Sequence, residues 1–214
     1  WQMLVEKWEG KQSFPDLTGD EAEADEGPSP FTTTLEYFHA WRGQFTYDDH
    51  ETPWNIVCPN LDITIGNLPG YHGEAVFNGG TVRIQDHLPM RVNMKARFAI
   101  DGPRIHLDRI DLETEGTQSL VSGDVDTAHF PEMLFQVQSR VQFPQLRHTF
   151  FTNDRWEASG VGDFTGTFHL FKGGHDLSGT FLSDLLGVNE YRFPSTYGAL
   201  RWTPTTFDVR DAGS

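Results

Sequence analysis

The chain has 214 residues, enough for one or two domains, and it is 37% hydrophobic with 17 Phe and 6 Trp. Its formal net charge of −15 argues against nucleic acid as a partner, because phosphate binding needs clustered Lys and Arg. An anionic membrane surface would also repel the chain as a whole. The single cysteine, Cys58, excludes an intrachain disulfide and a zinc site built from cysteines.

The N-terminal part of the chain divides into two segments. Residues 1–9 alternate apolar and polar side chains, which predicts a first strand belonging to a truncated preceding region. Residues 10–33 are rich in Asp and Glu and end among prolines, a composition that predicts an acidic flexible linker. Because the chain starts and stops in strand-like sequence, we expect it to be an ordered portion of a longer protein.

Residues 34–214 show a repeated alternation of apolar and polar side chains, and each run ends in Gly, Pro, Asn or Asp. The clearest runs are 90–100 and 133–143. Alternation with a period of two predicts strands with one apolar and one polar face. The modest apolar content suits an antiparallel sheet that is solvated on one side. We therefore predict an all-β domain over 34–214, mainly antiparallel and elongated, built from degenerate hairpin repeats and incomplete at its C-terminus.

Local signals within this domain predict its turns and irregularities. Gly79-Gly80 predicts a turn between strands at 71–78 and 81–86, and Asp101-Gly102 predicts a hairpin. In residues 104–115 the apolar side chains shift from odd to even positions, which predicts a β-bulge near Asp108-Arg109. Residues 144–154 are the best candidate for a short helix, with Pro144 in its first turn. At most one or two such helices are expected.

The order of these segments resembles that of the AsmA-like and TamB-like proteins of the bacterial cell envelope. The resemblance covers nearly the whole chain and is carried by the following stretches: EGKQSFPDL (9–17), LEYFHAWRGQFTYDD (35–49), NLDITI (60–65), RIHLDRIDLETEGTQSLVSGDVD (104–126) and STYGALRWTPTTFDVRDAG (195–213). It implies a curved sheet that forms an open half-pipe, or β-taco, with an apolar concave face. It also implies lipid transport or support of outer membrane assembly, in the periplasm, with an inner-membrane anchor in a segment missing from this chain.

The apolar side chains of the alternating runs are the candidate functional residues. In an open half-pipe they would line a groove for phospholipid acyl chains, and Met and Phe suit such a groove because they adapt to mobile chains. The predicted groove residues are Met90, Val92, Met94, Phe98, Ile100, Phe135, Val137, Val141, Phe164, Phe168 and Phe181. The competing interpretation is that the same side chains form the ordinary core of a β-sandwich.

No catalytic constellation emerges from the sequence. The nine histidines are scattered and show neither HExxH nor HxH spacing, and no GxSxG or phosphate-binding loop is present. Asp124 and Asp126 share one face of a strand, but they lack the glycine-containing loop of a standard calcium site. We therefore expect a protein that is not an enzyme and that needs no metal or cofactor.

Two functions remain open from the sequence. The first is non-enzymatic lipid binding or transfer between membranes through an apolar β-groove, with phospholipid acyl chains and other envelope proteins as partners. The second is a β-sandwich that binds a glycan or protein, or that serves as a structural subunit of a larger complex.

Overall fold

A computed structural model describes residues 1–8, 11–13, 36–50, 54–67, 69–84, 86–129, 132–152 and 155–214. These described residues form fourteen strands and one helix: β1 (Gln2–Trp8), β2 (Lys11–Gln12), β3 (Tyr37–Asp49), β4 (Trp54–Asn67), β5 (Tyr71–Ile84), β6 (Met90–Asp101), β7 (Arg104–Thr114), β8 (Thr117–Asp126), β9 (Glu132–Gln142), α1 (Phe143–Phe150), β10 (Ala158–Ser159), β11 (Val161–Phe171), β12 (Gly174–Val188), β13 (Tyr191–Trp202) and β14 (Phe207–Gly213). The predicted all-β fold is confirmed.

All strands belong to one curved, unclosed sheet rather than to two facing sheets. Its order is β14-β13-β12-β11-β9-β8-β7-β6-β5-β4-β3-β1-β2, with β10 paired to β12. Apart from β10, the order follows the chain from β3 onward, because most strands turn back on the strand before them through a short connection and α1 lies between β9 and β11. β1 pairs with β3 in parallel, and the other neighbouring pairs in the described part are antiparallel.

The predicted segments at the N-terminus are only partly covered by the structure. The first strand is present as β1, and Lys11–Gln12 of the predicted linker form the short strand β2 beside it. Residues 14–35, which hold most of the acidic linker, lie outside the described residues.

The Gly79-Gly80 pair does not turn the chain, so this local prediction was wrong. β5 runs on through both glycines, and its two halves pair with the same two neighbours, β4 and β6. The register shifts between Phe77 and Gly80, and Gly79 has a φ of +73°. A bulge with glycine in the left-handed conformation explains both facts, because it adds a residue while the strand continues.

Other local predictions are confirmed. β6 and β7 form a hairpin at Gly102, which has a φ of +54°. The register of β7 against β8 shifts between Leu107 and Ile110, where the bulge was predicted. Helix α1 has Pro144 in its first turn, a position that needs no backbone N–H.

The most buried apolar cluster lies toward the N-terminal half of the sheet. Cys58, Leu61, Phe77 and Val92 form its centre on neighbouring strands β4, β5 and β6. Their burial comes from packing within one layer together with the curvature of the sheet, since the described residues contain no second sheet.

Candidate functional site

Strand register divides the side chains of the sheet into two faces. Cross-strand partners point to the same side, so the series Phe98–Leu107–Gly123–Phe135–Phe168 marks one continuous face across β6, β7, β8, β9 and β11. We call this the inner face and the opposite one the outer face. The inner face is mostly apolar.

All eleven predicted groove residues lie on the inner face. On β6, Met94 aligns with apolar side chains of both β5 and β7, and so does Ile100. Phe168 on β11 aligns with Phe135 of β9, and Phe164 aligns with Phe181 of β12. Phe135 and Phe168, for example, are direct partners whose rings stack at 6.4 Å. The structure therefore brings the predicted set together on one surface.

The sequence-based set left out other side chains of the same face. They alternate in the same way on β4, β7, β8 and β12, and include Ile56, Ile63, Ile65, Ile105, Leu107, Ile110, Leu112, Val121, Val125 and Leu177. The alternation of these side chains is visible in the sequence. The bulges in β4 and β7, however, shift it between odd and even positions, so the sequence does not show that the side chains share the inner face.

Several phenylalanine rings of the inner face lie directly over glycines of the same sheet. A Cβ atom added at Gly73 would come within 2.5 Å of the Phe98 ring, and one at Gly198 within 2.8 Å of the Phe181 ring. The same arrangement recurs for Phe77 on Gly80, Phe135 on Gly123, and Phe164 on Gly166 and Gly179. The missing glycine side chains give the rings room to lie along the sheet, where they cover the backbone of adjacent strands.

This ring arrangement determines how far the side chains of the inner face project from the sheet. In a β-sandwich, inward side chains project and interdigitate with an opposing sheet about 10 Å away. Rings that lie over glycines of their own sheet fill the space left by the missing side chains. Most predicted groove residues are accordingly half-buried, whereas Val92 and Phe164 are buried, at 3% and 8% exposure.

Helix α1 covers part of the inner face and joins two distant parts of the sheet. The ring of Phe150 contacts both His87, in the β5–β6 connection, and Trp202 of β13, at 5.0 and 5.2 Å between centroids. The backbone N–H of Leu88 also donates to the carbonyl of Thr149 at 3.4 Å. β5 and β13 are seven positions apart in the sheet order, so these contacts show that the inner face is concave.

One buried histidine lies beneath this aromatic cluster. The ring of His175 on β12 packs 5.0 Å from Trp202 and 6.2 Å from Phe168. Its Nε2 atom is buried and has no hydrogen-bond partner among the described residues. Burial lowers the pKa of His175, and the nearby Asp176 carboxylate opposes that shift only in part, so the imidazole is neutral at pH 7.

A buried ion pair interrupts the apolar inner face at its β1 and β3 margin. Lys7 Nζ lies 3.2 Å from Asp49 Oδ2, and the Tyr47 hydroxyl donates to the same oxygen at 3.3 Å. Lys7 and Asp49 are register partners on the inner face. The pair satisfies two charges that the apolar surroundings would otherwise penalise strongly.

The thiol of Cys58 is part of the apolar cluster rather than a reactive group. Its side chain is 4% exposed, and burial raises its pKa to about 12. A thiol held in this neutral form is a poor nucleophile and a poor metal ligand.

The outer face carries the polar side chains and their ion pairs. Arg201 binds Asp176 through two nitrogens, and Arg140 Nη1 contacts both oxygens of Asp163 at 3.2 Å. These groups are largely exposed, so each pair contributes little to stability.

The two aspartates considered for calcium bind histidines on the outer face. Asp124 contacts His106 at 2.9 Å, and Asp126 contacts His129 at 2.9 Å. The hydrogen bond to Asp126 raises the pKa of His129, while that to His129 lowers the pKa of Asp126. No group of three His, Cys, Asp or Glu side chains suited to a metal ion occurs within the described ranges.

Within those same ranges, no helix has the length and hydropathy needed to span a bilayer. No protein-family model, no curated protein and no solved structure matches this chain.

Proposed function

We propose that the inner face of the sheet binds the acyl chains of lipids and serves lipid transfer or envelope assembly without catalysis. The observation that carries this proposal is a continuous apolar face across one unclosed sheet, in which phenylalanine rings lie over glycines of the same sheet. Such a face is concave and apolar, and its side chains project little from the sheet. A flexible hydrocarbon chain fits a surface of this kind better than a second sheet does.

The size of the surface agrees with this role. Thirteen strands in sequence, about 4.8 Å apart, give an inner face roughly 55–60 Å long along the sheet. Moving an acyl chain through water costs about 0.8 kcal/mol for each exposed CH₂ group. A continuous apolar path lowers that cost without any chemical step.

The resemblance to AsmA-like and TamB-like proteins supports the same proposal from the sequence. It suggests the periplasm as the setting, an inner-membrane anchor outside this chain, and other envelope proteins as partners. The net charge of −15 further favours capture of individual lipids over adsorption of the whole chain to an anionic bilayer.

The proposal is tested by measuring how much lipid two matched variants of β9 bind. Val137→Asp places a carboxylate on the inner face, and Gln136→Asp places the same group on the outer face of the same strand. Protein incubated with phosphatidylethanolamine carrying a fluorescent acyl chain is separated by gel filtration, and the bound fluorescence is measured.

We expect the original chain and Gln136→Asp to carry the lipid and Val137→Asp to carry much less, with the same far-UV circular dichroism in all three. Equal loading of the two variants would contradict the proposal, as would the absence of loading in the original chain. Unfolding caused by Val137→Asp alone would indicate a tightly packed core at this position instead.

A further inference from the structure

β3 forms an edge of the sheet along the first part of its length. β1 pairs with residues 44–49 of β3, and on that side no described residue pairs with β3 before Gln44. Residues 36–42, which we call the open edge, pair with β4 alone within the described part of the chain. Their outward backbone N–H and C=O groups form a row with which a further strand can pair.

The hydrogen bonds to β4 show which backbone groups of the open edge point outward. The N–H of Asn67 donates to the carbonyl of Glu36 at 3.1 Å, so Glu36 directs its backbone groups to β4. Consecutive residues of an antiparallel strand direct these groups to opposite sides. Tyr37, His39 and Trp41 therefore direct theirs to the open side.

Two other edges in the described part of the sheet carry features that hinder strand addition. β14 has three charged residues among its seven. Residues 191–196 of β13 extend past β14 and include Pro194, which is followed by Ser195 with a φ of +52°. Charges, prolines and irregular backbone are common means of keeping an edge unpaired.

The open edge has none of these features between its two ends. It consists there of Tyr37, Phe38, His39, Ala40 and Trp41, flanked by one acidic and one basic residue. Tyr37 and Trp41 are 64% and 60% exposed, and their rings lie 6.4 and 5.3 Å from that of His39 between centroids. Exposed aromatic rings beside unpaired backbone are typical of a protein interface.

The backbone of the open edge fits a second copy of itself in the antiparallel direction. With a twofold axis at His39, Tyr37 lies opposite Trp41 of the second copy, and His39 lies opposite its own equivalent. These are the three residues whose backbone groups point outward, so each facing pair exchanges two hydrogen bonds. A register shifted by one residue would place outward groups opposite inward ones and lose these bonds.

The side chains of the open edge are complementary in the same register. Besides the facing aromatic pair, Phe38 lies opposite the small Ala40, and Glu36 lies opposite Arg42. Glu36 and Arg42 are exposed, and neither forms an ion pair with another described residue. Aromatic pairs and opposite charges across an antiparallel pair stabilise it, whereas like charges destabilise it.

We propose that two copies of this chain associate through the open edge as an antiparallel, twofold-symmetric pair. The self-complementary register identifies a second copy as the partner, because an unrelated strand would have no reason to match it. The pairing ends at β1 of each copy, where the N–H of Gln44 already donates to the carbonyl of Trp1 at 3.0 Å. A twofold axis perpendicular to the sheet keeps both inner faces on the same side, so the dimer extends the inner face across two copies.

The proposal is tested by sedimentation velocity at concentrations up to about 500 µM, because an edge of this length is smaller than a standard interface and binds weakly. The original chain should form dimers. Arg42→Glu places Glu36 opposite a second acid, and Glu36→Arg places Arg42 opposite a second base. Each variant should self-associate about tenfold more weakly, whereas an equimolar mixture of the two should dimerise again, because every acid then faces a base. The control Arg210→Glu makes the same charge change on the edge strand β14 and should dimerise as the original chain does.

A third variant tests the hydrogen bonds of the backbone. His39→Pro removes an N–H that points outward, so the ladder between β3 and β4 keeps its bonds and far-UV circular dichroism should not change. Dimers should no longer form. In hydrogen exchange of the original chain, the amides of Tyr37, His39 and Trp41 should exchange quickly in dilute solution and slowly at high concentration.

The proposal is overturned if the original chain stays monomeric over the whole range, if the mixture of Arg42→Glu and Glu36→Arg fails to associate, or if His39→Pro dimerises as the original chain does. Slow exchange of the three amides in the monomer would also overturn it, because another part of the chain would then cover the open edge. Association is measured without lipid, so these outcomes do not depend on the proposed function of the inner face.

Discussion

The arrangement of phenylalanine rings over glycines makes a quantitative prediction for Gly73. Gly73→Ala would place a Cβ atom 2.5 Å from the Phe98 ring and 2.6 Å from the carbonyl oxygen of Thr64. The ring can swing away, but the carbonyl belongs to the adjacent strand β4 and moves only with its backbone. Overpacking of this kind costs about 1–3 kcal/mol.

A second glycine supplies the control for this substitution. A Cβ atom added at Gly66 meets nothing within 4 Å, and Gly66 also lies within a strand. Replacing either glycine with alanine reduces the freedom of the unfolded chain by a similar amount, about 0.4–1 kcal/mol. The difference between the two variants therefore isolates the native-state clash.

The measurement is urea unfolding followed by far-UV circular dichroism. We expect Gly66→Ala to be as stable as the original chain or slightly more stable, and Gly73→Ala to be less stable than Gly66→Ala by about 1–3 kcal/mol. In a chain of this size, each kcal/mol corresponds to a change in melting temperature of roughly 2–4 °C. Equal midpoints for the two variants would refute the close packing of the Phe98 ring and the Thr64 carbonyl oxygen around Gly73.

Three further outcomes are expected. The Cys58 thiol, whose pKa is raised to about 12 by burial, should react with a disulfide reagent at pH 8 only in denaturant; rapid reaction of the native chain would show that the cluster is open. Burial lowers the folded-state pKa of His175 below its ordinary 6.5, so the unfolded chain takes up the proton first and stability falls as the pH drops from 6.5 towards the lowered pKa. The difference between the urea midpoints at about pH 7.5 and about pH 5 should therefore be larger for the original chain than for His175→Phe. An equal difference in the two proteins would contradict the pKa shift of His175. Phe77→Ala should cost about 3–5 kcal/mol because Phe77 is 1% exposed, and Phe207→Ala should cost much less because Phe207 is 45% exposed; similar losses in thermal unfolding would contradict the burial pattern.

The proposed lipid-binding surface follows from features that are readable in the sequence. The alternation in 90–100 and 133–143 marks Phe98, Phe135 and Val137 as members of one face of their strands, and the structure joins those faces through antiparallel pairing. The bulge near Asp108 was also readable, because one inserted residue reverses the apolar phase of a strand that otherwise continues.

The Gly79-Gly80 segment shows where local signals fail. Paired glycines mark turns and bulges equally well, since both use left-handed backbone, and only the neighbouring strands decide between them. Here β4 and β6 each extend along both halves of β5, so the chain continues in the same direction and gains a bulge.

The amino-acid sequence alone determines the secondary structure class, the side of each strand that is apolar, and the lack of a recognisable catalytic motif. These properties depend on side chains that are neighbours along the chain. Only the folded chain shows that the strands form one concave sheet, that rings such as Phe98 and Phe181 lie on glycines of neighbouring strands, and that α1 joins His87 to Trp202. Such features arise from contacts between residues far apart in sequence, which local alternation does not encode.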